Sequence, residues 1–141
     1  MKPQLLALFT AMAWGIGGYY EKRGLHHGNL SPQMGITIRT AVALTVLAIA
    51  SFPYWRTVPH AGAKALLCMV IGGGLVAGSV GMLCFYSALK GAPLGKVMPI
   101  AFTAPLFGAL MGVLVGGEAL TTRTAVGTLM TVGGIVLLTM A

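Results

Sequence analysis

The chain has 141 residues, 57% hydrophobic and only 8% charged, and nine Lys and Arg against two acidic residues leave a formal net charge of +7. Soluble domains carry roughly 25% charged residues, so this composition and a mean hydropathy of +0.89 exclude a water-soluble globular fold and predict lipid as the solvent. The cations are scattered at the ends of apolar runs rather than gathered in a patch, which argues against a nucleic-acid partner and for helix ends anchored at anionic headgroups.

Five apolar runs predict an all-α membrane protein of five transmembrane helices forming a single domain over residues 1–141, each run being near the ~20 residues that a spanning helix needs. The first run, about 3–20, follows Lys2 and so has the outline of a secretory leader. A single charge before it, no polar mature domain behind it and further spans directly after it predict a retained helix instead. Trp14, Gly18 and Glu21 fall at i, i+4 and i+7, which puts a carboxylate and an aromatic ring on one stripe with room between them. Glu21 is then either a cation or proton site or a solvated helix end beside Lys22 and Arg23.

A connection over 21–34 leads to the second run, about 35–54. Arg39 lies a few residues inside it, placed to pair with Glu21 or Glu118, to bind an anionic group, or to snorkel to the headgroups. Phe52, Tyr54 and Trp55 close the run as an interfacial aromatic belt. His26, His27 and His60 fall in the flanking loops, and the adjacent pair lacks the i, i+4 spacing of helical ligands, so no metal site is expected.

The third run, about 65–89, holds Cys68 and Cys84. Their spacing turns them about 160° apart around a helix, too far to pair within one copy, so they are expected as buried thiols packed like small hydrophobes. Ser79, Tyr86 and Lys90 share a stripe at i, i+7 and i+11, and Gly74 and Gly78 form a small-residue stripe that predicts helix packing.

In the fourth run, about 97–116, Lys96, Ile100, Thr103 and Phe107 share a stripe, and Gly108, Gly112 and Gly116 a packing face. If the stripes of the third and fourth runs face one another, the hydroxyls of Tyr86 and Thr103 line a mostly apolar cleft; Tyr86 can equally form an interhelical hydrogen bond. Pro105 breaks the backbone ladder at membrane depth, and Pro99 either does so or sits in the first turn, which makes the two candidate hinges. Glu118 is expected to favour the N-terminus of the fifth helix, about 121–140, and to pair with Arg123.

The connecting loops are short, so consecutive helices should lie antiparallel and adjacent. Cations then divide almost evenly, with Lys2, Arg56, Lys64 and Arg123 on the side of the N-terminus and Lys22, Arg23, Lys90 and Lys96 opposite, joined by Arg39 if it reaches that surface. The positive-inside rule is nearly silent. Two readings stay open: a unit inserting both ways up, whose two copies make an inverted pair, or one orientation set by a partner.

Arg39 and Thr40, the segment FYSALKGAPLGKVMPI over 85–100, the Gly117–Glu118 pair and the glycine-rich tail over 127–138 resemble the EamA-like drug/metabolite transporter superfamily, and most of all its single-repeat, five-helix branch. The resemblance implies a helical carrier with a pocket near mid-membrane that pairs with a second copy. Where relatives place polar residues after the motif, this chain reads AFTAPLFG, and its preceding loop holds Pro93, Leu94 and Gly95. That drift points to a small apolar or amphipathic solute. Candidate substrate contacts are Trp14, Glu21, Arg39, Tyr86, Lys96 and Thr103.

No nucleophile, base and orienting acid occur together and no glycine-rich segment has phosphate-cradle spacing, so neither enzyme activity nor a cofactor is expected. The expected function is a transporter subunit of the bacterial inner membrane, partnered by lipid and a second copy of itself. Two alternatives stand beside it: an accessory subunit of a larger membrane complex, and a flippase for a lipid-linked substrate.

Overall fold

The computed structural model of the protein describes residues 3–119 and 121–140; Lys2, counted above among the topological cations, lies outside them. The described residues are helical and contain no strand. In chain order they form α1 (Pro3–His27), α2 (Pro32–Ser51), a 3-10 helix (Phe52–His60), α3 (Ala63–Cys68), a π-helical segment (Met69–Gly81), α4 (Met82–Gly91), α5 (Leu94–Ala101), α6 (Ala104–Leu114) and α7 (Thr122–Met140).

Four continuous stretches are long and apolar enough to cross a membrane: Pro32–His60, Ala63–Gly91, Leu94–Leu114 and Thr122–Met140. This is a multi-pass, all-α membrane protein. Of the five expected spans, α1 has the length, 25 residues, but its tyrosines, glycines and closing charges make it less apolar than the other four.

The largest departure from expectation is the end of α1. The helix runs on through Glu21, Lys22 and Arg23 to His27, so the connection to α2 is only residues 28–31. Basic side chains in a last turn suit the negative end of the helix dipole and do not stop the helix. The stop is Asn29, in the left-handed region at φ 43°, with its N–H on the His26 carbonyl and the Leu30 N–H on the Leu25 carbonyl. This is a Schellman closure with asparagine in the place usually taken by glycine. His26 and His27 are therefore helical, and the Nδ1 of His26 lies 3.0 Å from the carbonyl of Lys22. Ser31 at once caps α2 by accepting the Met34 N–H, with Pro32 in the first turn.

The expected third helix is continuous over Ala63–Gly91 but changes pitch: thirteen residues from Met69 to Gly81 are π-helical. Such turns are rare and usually single. The segment carries glycines at 72–74, 78 and 81. A Cβ at Gly78 would stand 2.9 Å from the Gly73 carbonyl oxygen, so that glycine is required by its own backbone. Cys68 and Cys84 are free and exposed; the expectation that they are buried fails because this span turns most of its surface outward, where apolar thiols suit lipid.

The chain divides into two compact units, the first ending at Gly91 and the second beginning at Ala92. In the first, α4 packs on α1 and α2. In the second, α7 packs along α5 and α6. The fourth span, though one run by length, is interrupted at Phe102 and Thr103, between the Ala101 carbonyl and the Pro105 ring that would otherwise meet it, whereas Pro99 is carried inside α5. Of the two candidate hinges, Pro105 coincides with a break. At the far end of α6, Gly117 takes φ +66° and the Glu118 N–H returns to the Gly112 carbonyl.

Candidate functional site

In the first unit the last turns of α1, the first of α2 and the last of α4 meet in a packed knot. Leu25, Ile36, Tyr86 and Leu89 are buried, Tyr86 to 2% exposure and Leu89 to 0%. Gly35 is what lets α2 approach: a Cβ there would stand 2.6 Å from Leu25 Cδ2 and 3.1 Å from the ring of Tyr86.

Polar bonds close over this knot. The Nε of Arg39 on α2 lies 2.8 Å from Oε1 of Glu21 on α1, and the same carboxylate acts electrostatically on the Tyr86 hydroxyl of α4. One ion pair therefore ties α1 to α2 beside α4. Lys22 Nζ donates to the Leu89 carbonyl at 3.1 Å. Lys90 Nζ donates to the Leu30 carbonyl at 2.6 Å and to Asn29 Oδ1 at 3.4 Å. These ammonium groups satisfy carbonyls at the end of α4 and in the α1–α2 turn, which would otherwise be left without partners.

Of the expected contact residues, the structure thus unites Glu21, Arg39 and Tyr86. The solvated-end reading of Glu21 gives way to an ion pair: its side chain is 22% exposed and that of Arg39 41%. Trp14 lies seven residues up α1 from Glu21, largely exposed, while Gly18 between them is buried. Lys96 and Thr103 belong to the second unit, where Lys96 is exposed and the Thr103 hydroxyl is spent locally on the Ile100 carbonyl. The expected partnership of Glu118 with Arg123 is absent among the described residues. The Glu118 carboxylate instead lies over Gly112, where a Cβ would come within 2.8 Å of it, and the hydroxyl that caps α7 is that of Thr121, accepting the Thr124 N–H.

Beside the knot, α2 and the π segment wall an open groove of about 650 Å³. Gln33, Ile36, Thr37, Thr40, Ala41 and Leu44 form one side, and Gly74, Gly78, Ser79 and Leu83 the other. Gly74 and Gly78, expected as a helix-packing stripe, therefore border open space within this unit. In the second unit, a Cβ at Gly108 would meet nothing within 4 Å, and one at Gly116 would stand 2.7 Å from the Gly112 carbonyl oxygen.

Sequence reasoning missed Gly35, the capping by Lys22 and Lys90, and the groove. The first two had a legible signal, the Gly28–Asn29–Leu30–Ser31–Pro32 stop and restart, which sets the two helices as a tight hairpin and Gly35 at its crossing. The groove had none, because its two walls come from segments far apart in the chain.

Three comparisons bear on this arrangement. The profile of the EamA-like transporter family matches residues 1–140. The chain is 33% identical over 136 residues to "Uncharacterized protein PA1977" of Pseudomonas aeruginosa, an alignment covering 95% of this chain and 44% of the relative. The chain therefore spans less than half the length of that curated relative. No solved structure matches it.

Proposed function

Since the chain belongs to the EamA-like transporter family, whose members are transporters and not enzymes, we propose that it is a carrier subunit of a bacterial inner membrane that moves a small apolar or amphipathic solute. It works as an inverted pair, one unit rocking against a second copy in the opposite orientation.

The observation that carries this reading is the uneven burial of the first unit. Its one knot of buried side chains lies where α1, α2 and α4 meet, while large side chains such as Val42, Leu44, Leu47, Met69, Val70, Leu75 and Val76 are about half or more exposed. Such a surface is complete only against lipid or another helical unit. The groove along α2 is half a pathway for the same reason, open on the side that a second copy of the chain would close.

Reconstitution tests this. Purified protein in liposomes should accumulate or exchange solutes of this class, and Arg39→Ala or Tyr86→Ala should reduce the flux. Absence of flux across a broad panel of neutral and amphipathic metabolites would overturn the proposal.

A second reading, an accessory subunit of a larger membrane complex, draws on the state of Glu21. The acid is already paired with Arg39, which leaves the first unit without an unpaired carboxylate for coupling to protons. Co-purification in mild detergent separates the two readings: fixed stoichiometry with other polypeptides supports the accessory role, and a homodimer supports the carrier.

A further inference from the structure

We propose that the groove between α2 and the π segment is a binding site for an uncharged amphipathic solute, with Thr40 reading its polar group, Gln33 at the mouth of the groove and Gly74 setting the width available to its apolar body. The proposal rests on the carrier reading for its purpose, but the site is argued from its own lining.

Charge comes first. No ionisable side chain lines the groove, so an ion entering it would shed water without gaining a counter-charge, which costs far more than a small-molecule site returns. Arg39 and Glu21 offer no compensation, since neither lines the groove and they are committed to each other.

Hydrogen-bonding capacity is second. Four lining residues carry polar side chains. The hydroxyl protons of two are already spent on the backbone, Thr37 on the Gln33 carbonyl at 2.9 Å and Ser79 on the Gly74 carbonyl at 3.0 Å. Among the described residues, the Gln33 amide and the Thr40 hydroxyl make no hydrogen bond. Both side chains are exposed, so a ligand that offers both a donor and an acceptor gains bonds here that a plain hydrocarbon cannot make. Gln33 is in the first turn of α2 and Thr40 stands seven residues deeper, about 10 Å at ~1.5 Å per residue. The polar group of the solute therefore lies at or outward of Thr40, toward the α1–α2 turn, and its apolar body toward Leu44.

Shape is third. A volume of about 650 Å³ falls in the range of roughly 300–1,000 Å³ usual for small-molecule sites. Gly78 is explained by its own helical turn, but Gly74 is not: a Cβ there would meet only the Met69 carbonyl oxygen, at 3.9 Å. Its bareness has no packing reason within the unit, and it keeps the groove wide.

The test uses the full chain in phosphatidylcholine nanodiscs with two fluorescent probes of one ring framework, uncharged N-phenyl-1-naphthylamine and anionic 1-anilinonaphthalene-8-sulfonate. The uncharged probe should bind saturably and the anionic one at least about tenfold more weakly. Gly74→Leu should weaken the uncharged probe about tenfold or more at unchanged thermal stability. Ala41→Phe, which fills the groove from the α2 side, should do the same, and Thr40→Val should weaken it several-fold. Equal binding of both probes, or binding untouched by both filling variants, overturns the site. So does loss of self-association in the filling variants with probe binding retained, which would make the groove a seat for a second copy. Flux assayed in parallel separates the two proposals: saturable, Gly74-dependent binding without flux overturns the carrier reading alone, and flux untouched by Gly74→Leu and Ala41→Phe overturns the groove assignment alone.

Discussion

The Nε of Arg39 stands 2.8 Å from Oε1 of Glu21, eighteen residues earlier in the chain, because α1 runs on to His27 and then reverses within residues 28–31. The pair is a helix-to-helix tie across the hairpin, and its carboxylate also acts electrostatically on the Tyr86 hydroxyl of α4. With Arg39 41% exposed, solvent and headgroups take up part of what is lost when the carboxylate is removed. Glu21→Gln should therefore cost only about 1 kcal/mol, and Tyr86→Phe a similar amount. Thermal unfolding in detergent measures both, and the double variant should lose less than the sum because the two changes remove a shared interaction.

Gly35→Ala should be the more damaging change despite its size. The added methyl would meet Leu25 and the Tyr86 ring, both of which are 2% exposed and have little room to yield, so a loss of about 1–3 kcal/mol is expected. Gly15→Ala is the control: nothing lies within 4 Å of its position, and stability should hold or rise slightly. Equal melting temperatures for the two variants would contradict the close crossing of α1, α2 and α4.

Lys90→Met should release the Leu30 carbonyl at the α1–α2 turn while keeping the apolar stem. The expected sign is a looser turn, read as faster amide exchange over residues 28–31, with a stability loss of about 1 kcal/mol. Lys64→Met, on a cation for which no such bond is formed among the described residues, should leave exchange in that turn unchanged.

Gly117→Ala places a side chain on a backbone at φ +66° and should destabilise the second unit by about 1–2 kcal/mol, with Gly117→Asn milder, since asparagine tolerates that region. The melting temperature of the two variants, compared side by side, gives the ranking.

Pro105→Ala should let the 105 amide bond back to the Ala101 carbonyl and join α5 to α6 across Phe102 and Thr103. Increased amide protection over residues 102–106 is the expected readout. If flux falls with it, the break serves the transport cycle; protection unchanged from the parent would mean that another feature imposes the break.

Much of the fold is legible in the chain because it follows from local physics. Charge-poor runs near twenty residues long have one stable form in lipid, the helix, so the all-α membrane class and the order of the spans come from composition and hydropathy alone. The break near Pro105 is legible for the same reason, since a missing N–H and a ring clash act within one turn. The resemblance resting on Arg39, the segment 85–100 and Gly117–Glu118 likewise led to the family that matches residues 1–140.

What tertiary structure alone decided is who meets whom. Glu21 on its own is compatible with solvent, with a proton site or with an ion pair, and the choice fell to a hairpin whose stop is Asn29 and not the charged triplet before it. The roles of Lys22 and Lys90 came from the ends of other helices, the groove came from α2 standing apart from the third span, and the π pitch through Met69–Gly81 defeats any assumption of a uniform 3.6-residue turn. Hydropathy reports the medium around each span, a one-dimensional property; pairing of polar groups and the width of a groove depend on the rotation of one helix against another, and that rotation is set by packing between residues far apart in the chain.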